Sequence, residues 1–404
     1  MAILWITALI FGLSSSTPTV TYGAMASVVG TGVWLVLALL VLFFSRGPLR
    51  MPRGIVRYVP VILALAAFNV AVSNDRLQSA GRWGLWLTLV VVAVWMANAT
   101  GKCTENKMRS KWPWLFAVIY LIIIADVYVS GGNERVVTKR FHLSGLYANL
   151  MLGTGLFVPN PRMRTAWIIA GLLGIFFSGS GGAALSLPIS VLPYFVFRFR
   201  KDAARALLLF LAVAAVGAAG ILGAGLGEAF LERKVRGSRA YFSGMERLER
   251  SSEGRLLLQE AALEAVRAQP WGTGLGPTYR LSLNFSPGST HNGLLSTLVE
   301  LGYAGFTVVL AGLAWILLRI LKNPALAADT KALYFTYVAT MFARSLSENY
   351  MIFDLSSPGV LYFLYLTALY SRGASRGRGR LDTKRRLVAA AGPARRRIPM
   401  LAGG

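Results

Sequence analysis

His291 is the residue of the chain whose type and position best suit acid–base chemistry. It is one of two histidines, and it stands at the start of a long apolar stretch. The turn-forming residues 287–290 predict an N-cap before it, so that His291 falls in the first turn of a helix. The positive end of the helix dipole disfavours a protonated imidazole, and a neutral imidazole is a competent general base. The alternative for a lone interfacial histidine is a solvated anchor.

Two glycines follow His291 along the same predicted helix. Gly302 comes eleven residues later, close to three helical turns, and Gly305 lies one turn further. Small residues on this stripe would let a neighbouring helix or a lipid chain approach closely beneath the histidine. We therefore predict that Gly302 and Gly305 serve helix packing or lipid access.

An arginine upstream is the candidate anion-binding residue. A helix is predicted over residues 252–268, with one of two adjacent serines as its N-cap. Its apolar face consists of Leu258, Ala262, Ala265 and Val266. Arg255 would then lie in the first turn, where a cation opposes the helix dipole and a bound phosphate would be favourable. The alternative is a surface arginine paired with a neighbouring glutamate.

A glycine-rich segment, residues 269–277, follows that predicted helix. Its alternating glycines allow tight turns or close approach of the backbone to another group. A dinucleotide-binding turn would follow a strand instead of a helix, so that function is excluded by context. The simplest interpretation of the segment is a connector.

Composition assigns these residues to a membrane protein. The chain is 55% hydrophobic and 15% charged, and its mean hydropathy is +0.55, which excludes an ordinary soluble domain. The predicted fold class is an all-α polytopic membrane protein of about twelve transmembrane helices. The predicted spans are 2–17, 24–44, 55–72, 83–99, 113–130, 141–158, 165–179, 183–199, 205–226, 292–318, 331–347 and 357–371.

The charge pattern predicts the orientation of these helices. Lys and Arg cluster in alternate connections, and ten basic residues follow Tyr370. The positive-inside rule therefore places both termini in the cytoplasm. The net charge of +25 is interpreted as this topology signal plus attraction to anionic membrane lipids, and not as a nucleic-acid surface.

Four regions follow from this topology. Residues 1–226 carry helices one to nine, residues 227–290 form an outward-facing, periplasmic loop domain, residues 291–371 carry helices ten to twelve, and residues 372–404 form a basic cytoplasmic tail. The loop between helices nine and ten is helical and is the only sizeable soluble element predicted.

Several outward-facing basic residues depart from the positive-inside trend. Arg82 and Arg140 are predicted at helix mouths, before Trp83 and Phe141, and Arg135 lies in the same outer connection as Arg140. Each alone is an ordinary loop charge, but arginines together bind a pyrophosphate bidentately. Acidic residues do not cluster at metal-ligand spacing, so no metal and no cofactor is predicted. We interpret His142 as a packing residue.

The motif and the topology together resemble the O-antigen ligase and polymerase superfamily. The resemblance rests on Arg255 in the loop, the segment 269–276, and His291-Asn292 followed by nine residues and Gly302-Tyr303-Ala304-Gly305. The helix count, the large loop between helices nine and ten, and the basic tail fit the ligases. The local motif covers about 55 residues, and the topology covers the chain.

The resemblance implies a metal-independent, inverting glycosyl transfer by a GT-C-like enzyme. The donor would be a glycan linked to undecaprenyl pyrophosphate, and the acceptor a sugar hydroxyl of lipid A–core. His291 would activate that hydroxyl. Arg255 would hold the pyrophosphate, with Arg82, Arg140, Arg135 and Asn292 as further candidate ligands.

Two departures from the family pattern concern the arginines. Ligases often carry a leucine four residues after the loop arginine, where this chain has Gln259. Relatives often have Ser-Arg-Gly in the seventh connection, where this chain has Ser180-Gly181-Gly182. A phosphate-binding arginine is therefore absent from that turn or supplied from elsewhere, for example by Arg82 or Arg140.

Three alternative functions are left open. An O-antigen polymerase would use the same donor with another lipid-linked glycan as acceptor, and a protein O-oligosaccharyltransferase is a second relative. A flippase for lipid-linked glycans belongs to a different class and would need polar residues midway through helices. The candidates for that role are Asn69, Asn98, Asp126 and Asn149.

Overall fold

The computed structural model describes residues 58–100, 109–129, 134–178, 180–199, 244–275, 281–283, 286–288, 292–324, 326–346 and 363–370, with a few isolated positions between 202 and 215. The first two predicted spans, most of the span at 205–226, the basic tail and His291 lie outside these residues. The number of transmembrane helices therefore remains a prediction.

Nine bounded α-helices and one short hairpin make up the described part of the chain. The helices are α1 Val59–Val72, α2 Arg76–Thr100, α3 Trp112–Val129, α4 Glu134–Gly155, α5 Pro161–Phe177, α6 Gly181–Arg198, α7 Gly244–Ala268, α8 Gly293–Leu321 and α9 Ala328–Ser345. Residues 363–370 form a further helical segment. The strands Leu281–Leu283 (β1) and Ser286–Gly288 (β2) pair antiparallel, with Ser282 opposite Pro287.

Local sequence explains where several helices begin. Asn160 caps α5 by accepting from the backbone N–H groups of Arg162 and Met163, and a proline occupies the first turn. Ser180 caps α6 in the same way through the Ala183 N–H. Three described helices are long and apolar enough to cross a membrane: Arg76–Asn98, Gly181–Arg198 and Gly293–Leu321. The fold is accordingly that of a helical membrane protein.

The helices α3, α4, α5, α6 and α9 form a tightly packed bundle. Its centre is aromatic, because Phe116 of α3 stacks on Tyr147 of α4 and contacts Tyr337 of α9, with ring centroids 6.2 and 6.1 Å apart. All three side chains are fully buried. Asn149 joins α4 to α6 by donating to the Ala183 carbonyl at 3.0 Å and to Ser186 Oγ at 2.7 Å.

Glycines on α4 allow the neighbouring helices of this bundle to approach closely. A Cβ at Gly155 would stand 2.6 Å from Trp167 Cβ of α5, and one at Gly145 would stand 2.8 Å from Ala183 Cβ of α6. Because helices in lipid gain little from hydrophobic burial against one another, close backbone contact is a main source of their association. These positions therefore exclude larger residues.

A second group consists of α1, α2, α7 and α8, and it carries the glycine-rich segment after α7. The two groups share one hydrophobic core, to which Trp83, Leu89, Tyr147 and Leu301 belong. On the side opposite that segment, Arg109 forms an ion pair with Asp329 at 3.1 Å and donates to Thr330. The charge pattern assigns the start of α3 and the start of α9 to the same side of the membrane, and this ion pair joins them.

Most predicted spans coincide with observed helices, but the helix starts differ at the ends that the charge pattern predicts to face outward. The structure begins α2 at Arg76 and α4 at Glu134, seven residues before the predicted starts at 83 and 141. Hydropathy detects only the apolar stretch, whereas the helical backbone continues through the polar residues beyond it. Arg82, Arg135 and Arg140 therefore lie within helices, and the prediction that they stand before the helix starts was wrong.

Candidate active site at the outer end of α8

A break in α8 is the main irregularity of the described backbone. Gly302 has φ 67° and ψ 179°, a non-helical conformation that separates Gly293–Leu301 from Tyr303–Leu321. Only glycine adopts this conformation at low cost. The prediction of one continuous helix, with Gly302 on the stripe of His291, is therefore wrong, because the break changes the direction of the residues that follow it.

The glycine-rich segment after α7 satisfies the backbone groups that the break leaves without helical partners. The N–H groups of Thr273 and Gly274 donate to the carbonyls of Val299 and Glu300, each at 3.0 Å, and Tyr303 N–H donates to the Pro270 carbonyl at 3.0 Å. Thr273 Oγ1 adds a bond to the Val299 carbonyl. A buried backbone group without a partner costs about as much as a lost hydrogen bond, so the segment stabilises the break. Its interpretation as a mere connector was wrong.

Glycines make this contact sterically possible. Gly272 has φ 92°, and a Cβ there would stand 2.5 Å from the Glu300 carbonyl oxygen. A Cβ on Gly302 would collide with the Pro270 carbonyl oxygen. The predicted close approach at Gly302 is thus real, but the partner is the backbone of this segment and not a helix or a lipid chain. Gly305 packs against Leu65 of α1 and Leu301.

Asn69 of α1 connects the same segment to three helices. Its Nδ2 donates to the Glu300 carbonyl at 2.8 Å, while its Oδ1 accepts from the Trp83 indole at 2.9 Å and from Leu275 N–H at 3.1 Å. Ser79 Oγ of α2 donates to the same Oδ1. The side chain is 1% exposed. Both of its polar atoms are therefore engaged within the protein.

The end of α1 adds a second set of contacts to the segment. Asn74 N–H and Ser73 Oγ both donate to the Thr273 carbonyl, at 3.1 and 3.2 Å. The Gln269 side chain bonds the Asn74 side chain at 3.3 Å. The segment 269–275 is thus held on one side by the turn between α1 and α2, and on the other by the break in α8. We refer to this arrangement as the loop clamp.

The apolar face of α7 packs on the part of α8 that precedes the break. Ala262 and Val266 form a buried cluster with Leu295 and Val299, which confirms the predicted apolar face. Because the residues after α7 bond residues 299–303, the two helices run in the same direction. Arg255 lies about two turns before Ala262, as Asn292 lies about one turn before Leu295. Arg255 and the start of α8 are therefore at the same end of the helix pair.

The start of α7 contradicts one prediction about Arg255. The helix begins at Gly244, so Ser251 and Ser252 lie inside it and neither is the N-cap. Residues 244–250 are mostly strong helix formers, with Glu246 and Arg250 at favourable spacing, and they extend the helix upstream. Arg255 is consequently in the fourth turn, where the dipole and free amides of α7 do not reach it.

Asn292 is the N-cap of α8. Its Oδ1 accepts from the N–H groups of Leu294 and Leu295, both at 3.1 Å, so the predicted pyrophosphate ligand has a structural role. The predicted N-cap at Thr290 is two residues too early. His291 itself lies outside the described residues, and in sequence it directly precedes this cap.

The other predicted ligands are distributed over α2 and α4. Arg82 is half-buried in α2 beside Trp83, whose indole bonds Asn69. The backbone of Arg135 and Arg140 is in the first turns of α4, and their side chains lie outside the described residues, as does that of His142. The roles of all three arginines in binding remain predictions.

Arg344 is a cation that the sequence analysis did not select. It is fully buried in the last turn of α9, and its guanidinium donates to Ser180 Oγ, the N-cap of α6, at 3.4 Å. Ser180 belongs to the turn in which relatives often carry an arginine. A basic residue at the outer end of an apolar span was the available signal, and it breaks the positive-inside trend as Arg82 does.

Three of the four polar residues that a flippase would need have partners within the protein. Asn69 and Asn149 bond neighbouring elements, and Asn98 donates to the Val94 carbonyl of its own helix at 2.9 Å. The side chain of Asp126 lies outside the described residues. These asparagines are therefore explained by packing, which weakens the case for a flippase.

The fold and this site define a helical membrane protein in which the amphipathic helix α7 packs against the part of α8 that precedes the break. Residues 166–310 match the family model described as O-antigen ligase. That range contains Arg255, the loop clamp's glycines, Asn292 and Gly302, so this part of the chain is similar to the O-antigen ligase family, in agreement with the resemblance that the motif shows. No curated protein matches the chain at a significant level.

Proposed function

We propose that this protein is an O-antigen ligase of the bacterial inner membrane. The proposed reaction transfers a glycan from undecaprenyl pyrophosphate to a sugar hydroxyl of lipid A–core on the periplasmic face. The observation that carries the proposal is the family match over residues 166–310, combined with the packing of α7 along α8. In that packing the backbone of Arg255 and the Asn292 cap lie at one end of the helix pair, and His291 directly precedes Asn292 in the sequence.

The proposed step is a direct displacement at the anomeric carbon. The acceptor oxygen forms the new glycosidic bond, the bond from the anomeric carbon to the pyrophosphate oxygen breaks, and the pyrophosphate leaves with both bonding electrons. His291 takes the proton of the acceptor hydroxyl as general base. A single displacement inverts the anomeric configuration, because no enzyme nucleophile takes part.

The leaving pyrophosphate carries two or three negative charges, so cations near it stabilise the transition state. Arg255 is the proposed principal ligand, with Arg82, Arg135 and Arg140 as further candidates. Arg344 extends this set as a candidate for the position that lacks an arginine in the turn at Ser180. Because no metal is needed to neutralise the leaving group in this scheme, we expect transfer to proceed in the presence of EDTA.

The test is a transfer assay with purified protein, undecaprenyl-pyrophosphate glycan, rough lipopolysaccharide and EDTA. We expect His291→Ala and Arg255→Ala each to lower transfer by at least about 100-fold, the usual contribution of one general base or one charge-stabilising donor. Arg344→Lys keeps the charge but loses the planar fork of donors, and we expect a smaller loss.

Arg267→Ala is the matched control for Arg255→Ala, because Arg267 is an exposed arginine of the same helix α7. It should transfer as the wild type does. Full activity of His291→Ala would exclude the general-base role. Extension of the donor-linked chains without transfer to lipopolysaccharide would instead identify a polymerase, the second candidate within this superfamily.

A further inference from the structure

Asn69 is buried at the point where α1, α2, α8 and the segment after α7 meet. Its orientation is fixed by chemistry, since the Trp83 indole only donates and the Glu300 carbonyl only accepts. The acceptor oxygen must therefore face Trp83 and Leu275, and the amide nitrogen must face Glu300. Among side chains of about this size, the asparagine amide is the one that carries a donor and an acceptor on separate atoms without a charge.

The bonds of Asn69 join two parts of the protein that are far apart in sequence. Leu275 is separated from Asn69 by 206 positions and Glu300 by 231. On one side are the spans α1 and α2, and on the other are the loop segment and the end of the first part of α8. Asn69 thus connects the loop segment and the end of the first part of α8 to the spans α1 and α2.

We infer that Asn69 is a positioning residue that fixes α7, and with it Arg255, relative to the membrane spans and the start of α8. This inference rests on the proposed function for its catalytic consequence, because Arg255 and His291 must stand at a fixed separation for the displacement. Loss of the Asn69 bonds leaves the loop segment held to α1 and α2 only by the contacts of Ser73, Asn74 and Ser79, so that α7 samples a wider range of positions. The productive geometry is then populated only part of the time.

The variant Asn69→Leu removes both the donor and the acceptor at similar size, and Asn149→Leu is its matched control. Asn149 is equally buried and also joins helices by its amide, but its hydrogen bonds within the described residues connect α4 with α6. Both substitutions should lower thermal stability by similar amounts. Only Asn69→Leu should affect the position of α7.

The position of α7 is measured by electron–electron double resonance between spin labels at Leu77→Cys of α2 and Leu263→Cys of α7. Both side chains are exposed, at 87% and 41%, and Cys103, the single cysteine of the chain, is replaced by serine. We expect a narrow distance distribution in the parent protein and in Asn149→Leu, and a broadened one in Asn69→Leu. A distribution as narrow in Asn69→Leu as in the parent overturns the inference.

Kinetics then separate positioning from general destabilisation. At a temperature where all variants are folded, Asn69→Leu should lower kcat by at least about tenfold while Asn149→Leu leaves it within about twofold. Equal kcat values for the two variants would overturn the catalytic part of the inference. The distance measurement does not depend on activity, so failure of the roles of His291 and Arg255 would leave it interpretable.

A second variant guards against failure of Asn69→Leu to fold. Asn69→Ser carries a neutral hydroxyl, but this shorter side chain cannot bond the Trp83 indole, the Leu275 N–H and the Glu300 carbonyl at the same time. We expect a distance distribution and a kcat between those of the parent and Asn69→Leu. Parent-like values for both would show that the set of bonds made by Asn69 contributes nothing to positioning, against the inference.

Discussion

A hydrogen atom in place of a side chain at Gly302 allows α8 to break and the loop clamp to form. The backbone there has φ 67° and ψ 179°, and the Pro270 carbonyl lies where a Cβ would be. The absence of a side chain also explains why glycine recurs at positions 272 and 274, because the backbone has a positive φ at both. At the residue scale, the glycines of the motif thus have a steric purpose that is independent of any ligand.

Gly302→Ala should destabilise the protein strongly. The strained backbone conformation and the forced displacement of the Pro270 carbonyl each cost about 1–3 kcal/mol. The measurement is the thermal unfolding midpoint of the purified protein in detergent, which should fall by several degrees.

Gly312→Ala is the control for that prediction, because Gly312 lies in the same helix and a Cβ there meets nothing within 4 Å. It should leave the midpoint unchanged or raise it slightly, since alanine favours a helix by up to about 1 kcal/mol over glycine. Equal midpoints for the two variants would contradict the steric account of Gly302.

At the scale of the element, the break at Gly302 divides α8 into a long part and a short part. The part from Tyr303 to Leu321 is about 28 Å long, close to the thickness of a bilayer core, and the part from Gly293 to Leu301 adds about 13 Å. Exposed aromatic side chains, Trp271 and Tyr303, lie near the break. At the other end Tyr58 contacts Trp315, and Arg319 lies over the same ring at 5.1 Å. Aromatic belts of this kind mark the two membrane surfaces.

The carboxylate of Glu300 supports the same boundary. If the membrane began at Asn292, Glu300 would lie about 12 Å deeper, inside the hydrocarbon, where an ionised acid costs several kcal/mol. With the boundary at Gly302, Glu300 lies at the surface. The start of α8 then stands above the lipid, and the proposed reaction takes place above the membrane surface instead of within it.

Cysteine labelling tests this boundary in cells with a permeabilised outer membrane. In a Cys103→Ser background, a membrane-impermeant maleimide should modify Leu294→Cys and leave Val308→Cys unmodified. Leu294 is half-buried before the break, and Val308 is exposed after it. Protection of both positions would place the start of α8 inside the bilayer and refute a boundary at Gly302. Modification of Val308→Cys would also contradict it.

At the scale of the whole molecule, the charge distribution predicts the orientation of this arrangement. The loop helix α7 and the loop clamp should face the periplasm, whereas the end of α8 and the basic tail should face the cytoplasm. The ion pair of Arg109 with Asp329 would then lie on the cytoplasmic side. This orientation presents the proposed site to lipid-linked substrates on the outer leaflet.

Two exposed positions near the ends of the helix pair test the orientation. The impermeant maleimide should modify Arg267→Cys of α7 in cells with an intact inner membrane, and Lys322→Cys at the end of α8 only after that membrane is opened. A reversed labelling pattern would invert the topology and exclude a periplasmic reaction.

The sequence by itself determined the protein class and most of the helices. Apolar runs of bilayer length locate spans because lipid offers no partners to the backbone, and the spacing from His291 to Gly305 indicated the resemblance that the family match over residues 166–310 supports. The apolar face of α7 could also be predicted, because helical periodicity is local. Helix starts could not, since the backbone continues through polar residues such as Arg76 and Glu134 that hydropathy excludes.

Only the tertiary structure decided how the loop is held on the spans. The break at Gly302 is stabilised by Thr273 and Gly274, and Asn69 connects residues more than 200 positions apart. Such bonds form where backbone groups lack a helical partner. Which groups these are cannot be read from a local stretch of the sequence. The contact of Arg344 with Ser180 was hidden for the same reason: it joins α9 to α6 across the bundle.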